Sequence, residues 1–217
     1  MKVVVLNVGV GTWHPRGSSR LNHSLQANQY DGDVMLWTDG FPPDSPTHKQ
    51  ANYAFKAFAF KWAKEKGYDI AIWMDSSIYL KKSLQPIIDL IAKDGHFIIR
   101  NGWTASDWLC DNQIECLGIT REQAKEAPLI IAGAMGFNLN DKKIWAMLEK
   151  WIEYTKCFSG EWTNTGICSQ DDSVLGSRHD QSFMSVLAYQ NNLTLHNPQG
   201  YLSYNVNDDV ILAAQGM

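Results

Sequence analysis

The sequence predicts an α/β fold built around a mostly parallel, twisted sheet, and three observations carry that prediction. Val3 to Val8 is a β-branched run without polar alternation, the pattern of a central strand covered on both faces. Val34 to Trp37 and Ile70 to Met74 repeat it, and a long amphipathic helix between those two gives a strand, helix and strand unit with a right-handed crossover. The runs also end in the same way: glycine follows the first strand at Gly9 and Gly11, Thr38-Asp39-Gly40 follows the second, and Asp75-Ser76-Ser77 follows the third. Open α/β sheets keep their chemistry at the carboxyl ends of such strands.

Taken in order, the first strand is followed by a polar segment with His14, Arg16, Arg20 and His23, read as a solvated loop or a mobile anion-binding loop. Ser45-Pro46 suits a helix start, and the helix runs from about Thr47 to Lys66 with Ala51, Ala54, Phe55, Phe58, Ala59, Trp62 and Ala63 on its buried stripe. Lys49 and Lys56 lie off that stripe and read as surface lysines with a possible phosphate role. Gly67 ends the helix. Ser83 caps a helix that buries Leu84, Ile87, Ile88 and Ile91 and stops at Gly95. Phe97-Ile98-Ile99 is a further strand delivering a loop from Arg100 to Trp108 that carries Trp103, Asp107 and Trp108, either a stacking platform for a sugar or base or two core plugs.

Thr120-Arg121-Glu122-Gln123 is a capping box. Leu129 to Asn138 is a strand interrupted by Gly133 and Gly136, a placement that marks a bulge or a ligand lying against the backbone. Asp141 starts a helix burying Ile144, Trp145, Leu148 and Ile152; residues 158 to 176 read as a long surface loop or lid. Ser177 to Ser182 leads into the last helix, with Asp180 in its first turn, where the helix dipole favours a carboxylate. The tail holds His196 and Tyr201, with room for one last strand.

Composition narrows the function classes. A chain of 217 residues without a linker reads as a single domain spanning residues 1 to 217, and a net charge of −4 lacks the basic footprint of a nucleic-acid binder. The N-terminal apolar run is too short for a leader and no segment has spanning length, which points to the cytoplasm. Cys110, Cys116, Cys157 and Cys168 are widely spaced and are expected as free thiols in a reducing compartment. Metal-finger spacing, a phosphate loop and a Gly-x-Ser-x-Gly elbow are all missing from the sequence.

Gly67-Tyr68-Asp69 before Ile72-Trp73-Met74-Asp75-Ser76-Ser77, the two-glycine strand Ala132 to Asn138, and His179-Asp180-Gln181-Ser182 resemble, in that order, the GT-A-fold glycosyltransferases that use nucleotide-diphospho-sugars. The chain is most similar to the small proteins of this kind encoded by phages and large algal viruses, and the likeness runs from about Val3 to Leu195. It implies a Rossmann-like three-layer sandwich and transfer of a sugar from a UDP- or GDP-linked donor to a hydroxyl on a glycan or other acceptor. Asp75 matches the first position of the family's Asp-x-Asp motif, while Ser77 stands at the third, where a second carboxylate is usual.

The resemblance therefore implies a metal site of Asp75, Ser77 and His196 for Mn or Mg, or else an Asp75 that binds ribose while Lys56 or Arg16 neutralises the diphosphate. It further places Val8, Gly9, Asp39, Lys56, Asp75, Ser76, Ser77, Gly133, Gly136 and Gln181 on the donor. Asp180 becomes the general base or a stabiliser of the oxocarbenium-like transition state, with Asp75 the second catalytic carboxylate. Trp103, Asp107 and Trp108 are assigned to the acceptor side. The competing readings are a domain that binds nucleotide-sugar or glycan without turnover and an adaptor that has lost donor affinity.

Overall fold

Alternation along each central strand builds two separate cores, one on each face of a five-stranded sheet. In the computed structural model, which describes residues 1–206 and 208–216, the sheet is formed by β1 (Val3–Val8), β2 (Asp33–Trp37), β3 (Ile70–Met74), β5 (His96–Thr104) and β6 (Pro128–Asn138) in the order β2-β1-β3-β6-β5. The first three strands are parallel; β6 runs antiparallel to both its neighbours, so four of the five share one direction. Val4, Leu6, Val8, Ala71 and Trp73 face one core, and Val5, Ile70, Ile72 and Met74 face the other. The first core is closed by α2 (Phe55–Glu65), α6 (Lys142–Tyr154) and α7 (Asp180–Gln190), the second by α1 (His14–Ala27) and α3 (Gln85–Asp94). Helices on both faces of the sheet make the three-layer sandwich expected.

Several local signals act as read. Gly95 caps α3 in the left-handed region at φ 82°, Thr120 forms the capping box of α5 (Arg121–Lys125), and Asp141 Oδ1 accepts from the Lys143 and Ile144 amides at the start of α6. A short helix, α4 (Asp111–Leu117), lies ahead of α5. The register between β5 and β6 jumps from Ile98 opposite Met135 to Ile99 opposite Ile131, so β6 bulges at Ala132 to Ala134. The tail forms β7 (Leu202–Ser203) and β8 (Leu212–Ala214), which join β4 (Ile78–Leu80) in a small second sheet of order β4-β8-β7.

Three expectations are corrected. The polar segment after β1 is not a loop but α1: Pro15 stands in its first turn and Leu21 and Leu25, one turn apart, are buried. The helix expected from Thr47 starts at Phe55; Tyr53 has φ 61°, a left-handed conformation that a continuous helix cannot pass through, and residues 47 to 53 are turns. The cysteines are not free thiols. Cys110 pairs with Cys168 and Cys116 with Cys157, and no cysteine is left unpaired among the described residues, which removes the basis for a reducing compartment. Among the described residues no helix is long and apolar enough to cross a membrane.

Candidate active site

The site begins with how the loop after β3 is held. Buried Asn7, a polar residue in the middle of an apolar strand, donates from Nδ2 to the Met74 carbonyl (2.7 Å) and accepts from Ser18 Oγ (2.5 Å), and Ser76 joins the same network. A buried network with its partners present fixes one geometry. The α1 helix lies tight against this loop at Gly17, where a Cβ would fall 2.1 Å from the Ser76 carbonyl oxygen. Asp75 is therefore presented from a braced turn, its amide donating to the Gly133 carbonyl across the bulge (2.8 Å).

Around Asp75 the central feature is Lys56. It lies on the buried side of α2, only 2% exposed, and its Nζ stands 3.0 Å from Asp75 Oδ1 and 3.0 Å from Asp180 Oδ2 while donating to the Ala132 carbonyl at 3.0 Å. An ammonium has three donors, and these three contacts use them. The surface reading of Lys56 is thus overturned, and its position is that of a clamp on two carboxylates rather than a free phosphate ligand. Asp75 Oδ1 also accepts from Trp73 Nε1 (2.7 Å), and Asp75 remains about one-third exposed (35%) at the cleft.

Asp180 is 3% exposed, in the first turn of α7, and burial pushes its carboxyl up to about 6 against the pull of Lys56. The Lys56 ammonium is held above its usual range by the same two carboxylates, which outweigh its own desolvation. The residue before Asp180 is strained: His179 has φ 46° and ψ −113°, and its Nε2 lies 2.8 Å from the Gly160 carbonyl and 3.0 Å from Asn52 Nδ2. Strain of this kind costs about 1–3 kcal/mol and persists only where surrounding contacts enforce it.

Two cavities meet at this point. One, of about 520 Å³, is lined by Val8, Val10, Trp13, His14, Phe41, His48, Phe55, Trp73 and Ser76; Trp13 and His14 stack with ring centroids 4.0 Å apart. The other, of about 410 Å³, is lined by Lys56, Asn101, Trp103, Trp108, Gly133, Trp162, Arg178, Asp180, Gln181 and Tyr204. Tyr53, Asp75 and Ser77 line both and form the junction. The left-handed backbone at Tyr53 belongs to the segment that replaces the predicted first turns of α2.

Of the residues singled out from sequence, the structure brings together Val8, Lys56, Asp75, Ser76, Ser77, Trp103, Trp108, Gly133, Asp180 and Gln181. The others stand elsewhere, among them His196 and Arg16, which is exposed on α1 and lines neither cavity. Asp39 is exposed in the turn after β2 and lines neither cavity. Gly9 packs on α1, where a Cβ would meet Ser18 Oγ, and Gly136 is a packing residue whose Cβ would fall 2.4 Å from Ile91 Cδ1. Asp107 braces its own loop, accepting from the amide and hydroxyl of Thr104. Tyr53, Trp162, Arg178 and Tyr204 were missed by sequence reasoning; Trp162 and Arg178 sit in or beside the irregular stretch from 158 to 178, where periodicity gives no facing direction.

His196 does not join Asp75. Its amide donates to the Ile98 carbonyl at the edge of β5, and its ring stacks on Phe97 at 5.5 Å beside His96 and Tyr201. Among the described residues no three His, Cys, Asp or Glu side chains converge as a metal cluster. What remains at the junction is one carboxylate already tied to a buried ammonium and one serine hydroxyl, which do not fit a protein-built Mn or Mg site.

These strands, helices and cleft define the GT-A glycosyltransferase fold. The chain is similar to a glycosyltransferase involved in the glycosylation of the major capsid of PBCV-1, with a TM-score of 0.55 and 12% identity over 99% of this chain and 94% of that one. It is similar to mouse xyloside xylosyltransferase 1, with a TM-score of 0.55 and 10% identity over 99% and 98%. A third structure, the galactosyltransferase LgtC with donor and acceptor sugar analogues, gives a TM-score of 0.51 and 11% identity over 97% and 86%. No family model and no curated protein sequence matches the chain.

Proposed function

We propose that the protein is a glycosyltransferase that moves a sugar from a nucleoside-diphosphate donor to an acceptor hydroxyl. The observation that carries this reading is the Asp75–Lys56–Asp180 clamp at the meeting of two cavities, since it places two carboxylates where a donor bound in one cavity would meet an acceptor bound in the other. In this reading the aromatic cavity takes the nucleoside, with Trp13, His14, Phe41 and His48 offering faces and edges to a base. The diphosphate lies at Tyr53 and Ser77, and the sugar reaches Gly133, where the missing side chain leaves room beside Asp75. Asp75 accepts hydrogen bonds from donor hydroxyls, and Asp180 takes the acceptor proton or stabilises positive charge at the sugar's anomeric carbon; a carboxylate made more basic by burial suits either role. No step in this reading passes through a protein-held metal.

A thermal-shift screen against UDP- and GDP-sugars, with and without Mn, tests donor binding, and release of nucleoside diphosphate tests turnover. Asp75→Asn and Asp180→Asn are each expected to lower transfer by at least a hundredfold while the far-UV spectrum stays that of the parent; retained transfer in both refutes the assignment. A second reading, donor binding without turnover, is favoured by the absence of a second carboxylate at Ser77. It predicts a shift with nucleotide-sugar but no released nucleoside diphosphate.

A further inference from the structure

Of the two cations in the second cavity, Lys56 is saturated and Arg178 is not. The Arg178 guanidinium carbon sits 4.1 Å from the Trp108 ring centroid and 4.5 Å from that of Trp162, held between two indoles. Its backbone amide donates to the Trp108 carbonyl at 3.2 Å, which fixes the base of the side chain. Among the described residues no carboxylate pairs with it; the two carboxylates lining the same cavity, Asp75 and Asp180, are both bound to Lys56. Stacking between rings covers the faces of a guanidinium and leaves its edge, a planar fork of N–H donors matched to carboxylate or phosphate oxygens. A half-buried charge that is rigidly held and left without a counter-charge is costly unless a ligand completes it.

The position of Arg178 selects which ligand. A donor whose nucleoside lies in the first cavity passes Tyr53, Asp75 and Ser77, the only residues the two cavities share among those described. Arg178 lines the second cavity alone, beside Trp103, which is 51% exposed and stands edge-on to Trp108 at 6.2 Å. An exposed indole next to an unpaired guanidinium is a place for a sugar ring bearing a negative group. We propose that Arg178 binds an oxyanion carried by the acceptor, a carboxylate or a phosphate, and so makes the protein selective for acidic acceptor sugars. This rests on the transferase reading for the identity of the other cavity's occupant.

The test is direct titration, in the presence of UDP or GDP, of three probes: p-nitrophenyl β-glucoside, p-nitrophenyl β-glucuronide and the glucoside 6-phosphate. At least one acidic probe is expected to bind tenfold or more tighter than the glucoside, and comparison of the two assigns the anion as carboxylate or phosphate. Arg178→Gln should erase that preference and Arg178→Lys should keep part of it, each variant checked for an unchanged melting temperature. Equal binding of all three probes, absence of binding by all three, or a preference that survives Arg178→Gln overturns the proposal. So does a tenfold loss of UDP or GDP affinity in Arg178→Gln, which would place the guanidinium on the donor diphosphate. Nucleotide binding is read in the same samples: if it is seen without an acidic preference, only this inference fails, whereas its absence removes the donor reading.

Discussion

At the scale of single residues, Lys56 decides the electrostatics of the cleft. Removing one member of a buried ion pair leaves the others uncompensated, at a cost of about 3–5 kcal/mol. Lys56→Met is therefore expected to lose stability of that order in urea denaturation, together with transfer, because it strands Asp180 and loosens Asp75. Asp180 sets the pH response. Its folded-state value, raised to about 6 from 3.8, means that its contribution to stability is fully present below about pH 3.8 and is lost as pH rises through about 6. In the proposed transfer ionised Asp180 is the active form, so transfer should rise along an acid limb with a midpoint near 6. A pH–rate profile checks this; a limb near pH 4 would show a carboxylate that burial does not perturb. Lys56 is raised, so its share of the pair persists below its ordinary value and is lost only in strong alkali.

At the scale of elements, the contact of α1 with the turn after β3 carries the site. A methyl group at Gly17 would overlap the Ser76 carbonyl, a backbone atom that cannot rotate away. Gly17→Ala is expected to destabilise the fold by about 1–3 kcal/mol, the range for overpacking, and to weaken nucleotide binding at least tenfold by displacing Asp75 and Ser77. A thermal-shift titration reads both. Sequence alone made the ends of β1 and β3 legible, because apolar runs, interrupted only by Asn7, that stop at Gly9 and Asp75 need no partner to be understood. It did not make α1 legible: the helix carries little apolar surface, and its fit depends on two small residues, Gly17 and Ser18, whose value appears only when Ser76 is opposite them. Lys56 was misplaced for a related reason, since periodicity assigns a lysine to solvent unless the carboxylates that bury it are known, and Asp180 lies far along the chain.

At the scale of the whole molecule, two disulfides join the segment around α4 to the irregular stretch after α6, and residue types alone could not pair them. Cys110–Cys168 closes a separation of 58 residues, and its removal by paired serine substitution is expected to cost about 2–4 kcal/mol, read as a fall in melting temperature. The same bond ties Trp108, two residues before Cys110, to the stretch that supplies Trp162, so the clamp on Arg178 is covalently linked on both sides. The cavity that takes the nucleoside in the proposed reading has no cysteine in its lining among the described residues. Reduction should therefore divide the molecule's two competences: a chain treated with dithiothreitol is expected to keep its response to UDP or GDP while losing discrimination among acceptors. That outcome would make the thiol chemistry of its surroundings a control on what the protein recognises, separate from whether it can hold a donor.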